Sequence, residues 1–228
     1  MRTFIHIGQH KTGTTSIQHY LKENRTDLGK RGLYIADSLA SESSPSHFML
    51  NMFALNEHRY SSMKEKLLAA HPVDFFSRLK YNLPLEIATH YKRAEDSGCT
   101  DIVWSNEGLY LLNSIEEYAR LRGLFEKHST EIVCICCFRE VESYKNSYRQ
   151  QLKKQGIGHS EIEDSYRNTS DDSWLFNYRK KKYLLRKSFE KLIIFQYEKN
   201  GMVEKFMECI DYPINTENIP RLNVTINS

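Results

Sequence analysis

The stretch "IHIGQHKTGTTSIQHYL", residues 5–21, decides the fold. A short β-prone run ends at Gly8, a loop follows, and Ile17, Tyr20 and Leu21 then recur at helical spacing before the breakers Gly29 and Gly32. That order is strand, tight loop, helix. Such a loop directs backbone N–H groups and the positive end of a helix dipole at one anion. Gly8 and Gly13 let the chain turn and approach closely, while Thr14, Thr15 and Ser16 place hydroxyls in the first helical turn. The phosphate loop of ATP and GTP enzymes, G-x-x-x-x-G-K-[ST], has its lysine directly after the second glycine. Thr14 occupies that position here, and the lysine, Lys11, lies inside the loop.

The rest of the chain continues the alternation. Strand-like segments recur at 33–36 (LYIA), 101–105 (DIVWS), 131–138 (EIVCICCF) and 191–197 (KLIIFQY), with helical stretches between them. Residues 83–96 read as a helix with Pro84 near its start and Gly98 past its end, and 114–128 opens with a capping box, Ser114 and Glu117. Strands alternating with helices predict an α/β fold: a P-loop-like three-layer αβα sandwich with a central, mainly parallel sheet and helical insertions. The wholly apolar runs suit strands covered on both faces. No repeat or linker divides the 228 residues, so one domain is expected. Residues 37–82 and 155–174 resist the alternation and are expected as insertions on the acceptor side of a site.

Thirty-two Lys and Arg balance 29 Asp and Glu, a net charge of +3 that argues against a nucleic-acid surface, so any anion site must be local. The basic runs 178–187 and 148–155 carry apolar residues at helical spacing and read as solvated helix faces. Of five cysteines, Cys134, Cys136 and Cys137 share one apolar run, which points to core thiols rather than a disulfide framework or a zinc site. No segment has the length and apolarity of a signal peptide or membrane span, so a soluble, cytoplasmic protein is expected. Oligomeric state leaves no readable mark.

The motif GQHKTGTTSIQ resembles the 5′-phosphosulfate loop of sulfotransferases that use 3′-phosphoadenosine 5′-phosphosulfate (PAPS). A second match is FREVESYKNSYRQQLK, 138–153, in which Arg139 and Ser147 stand eight residues apart after a strand, as in that family's 3′-phosphate element. The family's usual Arg-Asp-Pro start is here Arg139, Glu140 and Val141. A weaker echo covers 195–212, taken as support for the fold. The resemblance, most like bacterial carbohydrate sulfotransferases, spans the nucleotide-binding core. It implies sulfonate transfer from PAPS to an acceptor hydroxyl, with a carbohydrate or glycoconjugate acceptor. It also implies donor binding by Lys11, Thr12, Gly13, Thr14, Thr15, Ser16, Arg139 and Ser147, and no required metal. Lys11 suits the charge that develops on the leaving phosphate.

For the base, Glu107 falls just past the C-terminal edge of 101–105, where open α/β sheets bind ligands. The alternative is a carboxylate that merely caps the following turn. His10 is the competing base, and His47 is either an acceptor-facing or a packing residue. Arg221 is either a contact for the 3′-phosphate or the acceptor or a solvated tail residue, and it is left out of the expected site. Two other functions compete. A P-loop kinase or nucleotide hydrolase lacks its Gly-Lys-Ser/Thr and magnesium carboxylate here, and a non-catalytic nucleotide-binding module would bind without turnover.

Overall fold

A computed structural model of the chain describes residues 1–37, 46–71 and 74–214. The serine-rich stretch 38–45, residues 72–73 and the tail with Arg221 lie outside the described residues. Five strands form one sheet: β1 (Arg2–His6), β2 (Leu33–Ile35), β3 (Asp101–Ser105), β4 (Glu131–Phe138) and β5 (Lys191–Gln196). Their order is β2-β3-β1-β4-β5, and every neighbouring pair is parallel. β1 is therefore central, with His6 in register with Ser105 on one side and Ile135 on the other.

Residue alternation along the strands builds two cores, one on each face of the sheet. Phe4, Val103, Val133, Ile135 and Cys137 point toward helices α1 (Thr14–Glu23), α2 (Arg25–Lys30) and α9 (Met202–Cys209). Ile5, Trp104, Cys134, Cys136 and Phe138 face the opposite layer. That layer holds α3 (Phe48–Ala54), α5 (Phe75–Asp96), α6 (Ile115–Gly123), α7 (Val141–Lys154) and α8 (Tyr178–Ser188), while α4 (Ser62–Ala70) lies within the first insertion. The expected three-layer αβα arrangement is the one observed. The three strand thiols are buried and unpaired with one another, and desolvation raises the pKa of Cys137 to about 12.

Two local readings are corrected. α5 starts at Phe75, so Pro84 lies inside a 22-residue helix instead of near its start. Pro84 has no N–H to give the Lys80 carbonyl, and the helix survives because buried Leu83, Ile87, Tyr91 and Ala94 fasten one stripe of it to the core on both sides of the proline. The capping box at Ser114 is half formed. Ser114 Oγ accepts from Glu117 N at 3.2 Å, but the Glu117 carboxylate turns inward to Arg59 Nη1 at 2.6 Å and accepts from Asn56 N at 2.8 Å. Arg59 and Glu117 form a buried pair, which satisfies groups whose isolation would be costly.

The basic run 178–187 is mostly solvated, except that Lys181 is 1% exposed. Its ammonium donates to the carbonyls of Tyr110 and Leu112 at 2.8 and 2.5 Å and lies over the rings of Tyr110 and Trp174. Desolvation lowers its pKa to about 7.

Candidate active site

The loop after β1 continues the sheet before it turns. Ile7 N donates to Ile135 O, Cys137 N to Gly8 O and Gln9 N to Cys137 O, at 3.0, 2.8 and 3.1 Å. Gly8 then adopts φ +89°, and a Cβ there would lie 2.9 Å from Glu107 Cα. Glycine is needed because the loop packs directly on the backbone of Glu107. Lys11 is also left-handed, at φ 65°, and exposed, which swings it out of the loop. Gly13, at φ +78°, is the N-cap of α1 without a side-chain cap, and no acidic residue stands in the first turn. The N-terminus of α1 thus has neither a side-chain cap nor an acidic residue in its first turn to offset its dipole. Thr12 is different: it is fully buried, and its Oγ1 donates to Gln9 O at 2.6 Å, so its side chain shapes the loop.

Arg139 follows β4. Its N donates to Gln9 Oε1 at 2.9 Å, its Nε to Ser143 Oγ at 2.7 Å and its Nη1 to Lys11 O at 3.2 Å, while the guanidinium lies 5.0 Å from the centre of the Tyr197 ring. Tyr178 completes the joint by donating to Arg139 O at 2.8 Å. Gln9 and Arg139 therefore tie the loop to the start of α7. Glu140 caps α7 by accepting from Glu142 N and Ser143 N at 3.0 and 2.7 Å. The departure from Arg-Asp-Pro keeps a carboxylate cap. Ser147 stands on the same helix, two turns on.

These pieces line one cleft of about 810 Å³ at the C-terminal edge of the sheet. His10, Lys11, Gly13, Thr14, Thr15, Ser16, Glu107, Arg139 and Ser147 all reach it. The sequence reasoning missed Lys154 at the end of α7 and Tyr197, Lys199 and Asn200 after β5, which line it too. The 195–212 segment therefore contributes to the cleft as well as to the fold. No spacing rule flags Lys154, which stands in a run that reads as a solvated helix face, or Lys199, which stands in the segment taken as support for the fold. Four cations (Lys11, Arg139, Lys154 and Lys199) face one carboxylate, Glu107, among the lining residues. Such a balance favours a polyanionic ligand.

Glu107 opens a 3₁₀ turn, Glu107–Leu111, directly after β3. The turn's carbonyls are held from outside: Gly108 O by Asn51 Nδ2 at 2.7 Å, Leu111 O by Arg59 Nη2 at 3.0 Å, and Tyr110 O and Leu112 O by Lys181. Gln18 Nε2 donates to Glu107 Oε2 at 2.9 Å. His10 has a buried Nδ1 without a protein partner, and burial lowers its pKa, partly opposed by Glu107 and reinforced by Lys11. The imidazole is therefore neutral at physiological pH. His47 is a packing residue, not a cleft residue. It is buried, accepts from Ser105 N at 3.0 Å through Nδ1 and bonds Ala36 O at 3.2 Å through Nε2.

Of the two insertions, the second reaches the cleft through Gln155, and the first braces the Glu107 turn through Asn51 and Arg59. Among the described residues, no helix is long and apolar enough to cross a membrane.

No family model matches the sequence, and no curated protein matches it. Solved structures do resemble the fold. A sulfotransferase from Alicyclobacillus acidocaldarius aligns over 100% of this chain and 87% of its own, with a TM-score of 0.54 at 14% identity. A sulfotransferase domain from the curacin biosynthetic pathway aligns over 94% and 75%, with a TM-score of 0.49 at 15% identity. The Deinococcus radiodurans tunicamycin resistance protein aligns over 92% and 95%, with a TM-score of 0.46 at 12% identity. The all-parallel sheet, the loop after its central strand and the full-length match to the first of these proteins show that the chain has a sulfotransferase-like fold.

Proposed function

We propose that the protein is a sulfotransferase that moves the sulfonate of PAPS to a hydroxyl of a carbohydrate or glycoconjugate. The observation that carries this reading is that Lys11 with the α1 N-terminus, and Arg139 with Ser147, come from distant parts of the chain and line one cationic cleft in which Glu107 is the single carboxylate among the described residues. The residues suit the donor. The uncapped first turn of α1 and Lys11 match the 5′-phosphosulfate, and the guanidinium fork of Arg139 with the Ser147 hydroxyl matches the 3′-phosphate. The cleft volume is in the range of small-ligand sites.

In the proposed step the acceptor oxygen attacks sulfur in line and passes its proton to Glu107. The bond from sulfur to the 5′-phosphate oxygen breaks, and its electron pair stays on that phosphate. Lys11 and the amides of α1 stabilise the charge that develops there. The role of base goes to Glu107, supported by its place in the cleft beside the loop, with neutral His10 as the second candidate. We assign the acceptor to the side of the cleft at Glu107, whose turn the first insertion braces.

The test pairs binding with turnover. Calorimetry without magnesium compares 3′-phosphoadenosine 5′-phosphate with ATP, and release of that bisphosphate from PAPS is followed over a panel of sugars, phenols and amines. Micromolar binding of the bisphosphate in preference to ATP, with turnover on sugars, is expected. Magnesium-dependent preference for ATP would overturn the reading in favour of a kinase or hydrolase. Tight binding without turnover on any acceptor would favour a non-catalytic module, and turnover restricted to phenols or amines would overturn the acceptor class.

A further inference from the structure

Glu107 is held by a chain of buried side chains that begins two residues past Ser16. Gln18 lies on α1, one turn past the loop, and is 5% exposed. Its amide nitrogen carries two hydrogens and has two acceptors, Glu107 Oε2 at 2.9 Å and Ser105 Oγ at 3.3 Å. Ser105 Oγ accepts from Gln18 and shares a second hydrogen bond with His6 Nδ1, 2.8 Å away. Full burial keeps His6 neutral by lowering its pKa to about 4, against a smaller opposing effect of Glu107.

Each member thus fixes the next. Flipping the Gln18 amide would turn its carbonyl oxygen toward a carboxylate, so only one orientation is favourable. Ser105 is fixed in turn by its backbone, since its N–H donates to His47 Nδ1. Gln18 takes Oε2, so Oε1 is the carboxylate oxygen it does not use. Gly8 pressed against Glu107 Cα limits movement of the backbone beneath. The titratable and charged groups that face Glu107 are His6 on β1 and His10 and Lys11 on the loop.

We propose that Gln18, oriented by Ser105 and His6, is a positioning residue that holds Glu107 by Oε2 and leaves Oε1 for the acceptor proton. Because Gln18 and the phosphate loop share one helix, the geometry points to a base whose aim is set by the same element that binds the donor. The inference rests on the reading of Glu107 as the proton acceptor.

The test uses the full chain with Gln18→Leu, Gln18→Glu and the reference Glu107→Gln. It measures kcat, KM and the pH profile with PAPS and an active acceptor, and bisphosphate affinity by calorimetry. A placed base is worth roughly 10²- to 10⁴-fold, so losing its aim is expected to lower kcat about tenfold in Gln18→Leu while bisphosphate affinity stays within about twofold. Both Gln18 variants are expected to move the acid limb of the kcat profile to higher pH. One removes a donor to the charged carboxylate, and the other adds a like charge beside it. Wild-type kcat and an unmoved profile in Gln18→Leu, with Glu107→Gln inactive, would overturn the relay. Loss of bisphosphate binding in both Gln18 variants would overturn it too, since Gln18 would then be supporting the loop. Full activity in Glu107→Gln would instead overturn the Glu107 assignment beneath it and favour His10.

Discussion

Replacing Arg139 separates the two ends of the proposed donor site. The guanidinium has five N–H donors; one goes to Ser143 Oγ and one to Lys11 O, which leaves three directed elsewhere. A bidentate contact with a 3′-phosphate uses two of them. Hydrogen bonds to charged groups contribute about 1.5–3 kcal/mol each and are not additive, so Arg139→Ala is expected to cost about 2–4 kcal/mol of binding, or roughly 30- to 700-fold in affinity. Arg139→Lys keeps the charge but cannot reach Ser143, Lys11 O and a phosphate with one fork, so it should fall between the two. The assay is calorimetry with ligands that differ only at the 3′ position: 3′-phosphoadenosine 5′-phosphate and adenosine 5′-phosphate. The variant should lose affinity for the first and change little for the second. Equal losses for both would refute the reasoning. Arg139 would then act by holding the Lys11 carbonyl, and through it the loop, with no direct part in reading a 3′-phosphate.

The other expectations concern the scaffold and the rim. Gly8→Ala puts a methyl group 2.9 Å from Glu107 Cα at φ +89° and should lower the Tm by about 5 °C or more, whereas Gly29→Ala, with nothing within 4 Å, should not lower it; scanning calorimetry compares them, and equal Tm values would contradict the close approach. Stability should fall as the pH drops from about 6.5 to about 4. His6 and His90 have folded pKa values lowered to about 4 by burial, so in that window the unfolded chain binds more protons, at up to ~3 kcal/mol for each histidine. Urea midpoints against pH test this, with His90→Gln expected to flatten the slope and a slope already flat in the parent protein counting against it. Removing Lys154 and Lys199 together should weaken bisphosphate binding and reduce its salt dependence, because both cations line the cleft; an unchanged salt dependence would exclude them from the ligand's field.

The sheet and the loop were legible because their signals are local. Period-two burial on β4, glycines at two left-handed turns and a helix start without an acid are properties of a few consecutive residues. The cleft was half legible, since Lys11, Arg139 and Glu107 follow strand ends that a parallel sheet must bring together, and Ser147 lies two turns along the helix after Arg139. What escaped depends on contacts between distant segments. Nothing near Lys181 says that it, and not Lys180, is swallowed by the core, because both fit a basic amphipathic helix. Glu117 looked like a cap, and only the arrival of Arg59 from 58 residues away gives its carboxylate another task. Pro84 suggested a start because its own position favours one, while the stripe from Leu83 to Ala94 that carries the helix through it becomes decisive only against the packed core. Gln18 drew no notice, since a glutamine on a helix face has no chemistry until Ser105 and Glu107 stand beside it.

The alternation of Cys134, Cys136 and Cys137 across the two faces of β4 has a practical result. Thiolates are the reactive form, and these thiols are buried with pKa values raised by desolvation, so alkylating reagents should pass over them while the sheet is intact. Half-buried Cys209 on α9 is the one to label early. The chain therefore carries its own clock for global opening: the rate at which the β4 thiols become modifiable, counted by mass spectrometry against Cys209, times the parting of the two layers from the strand they share.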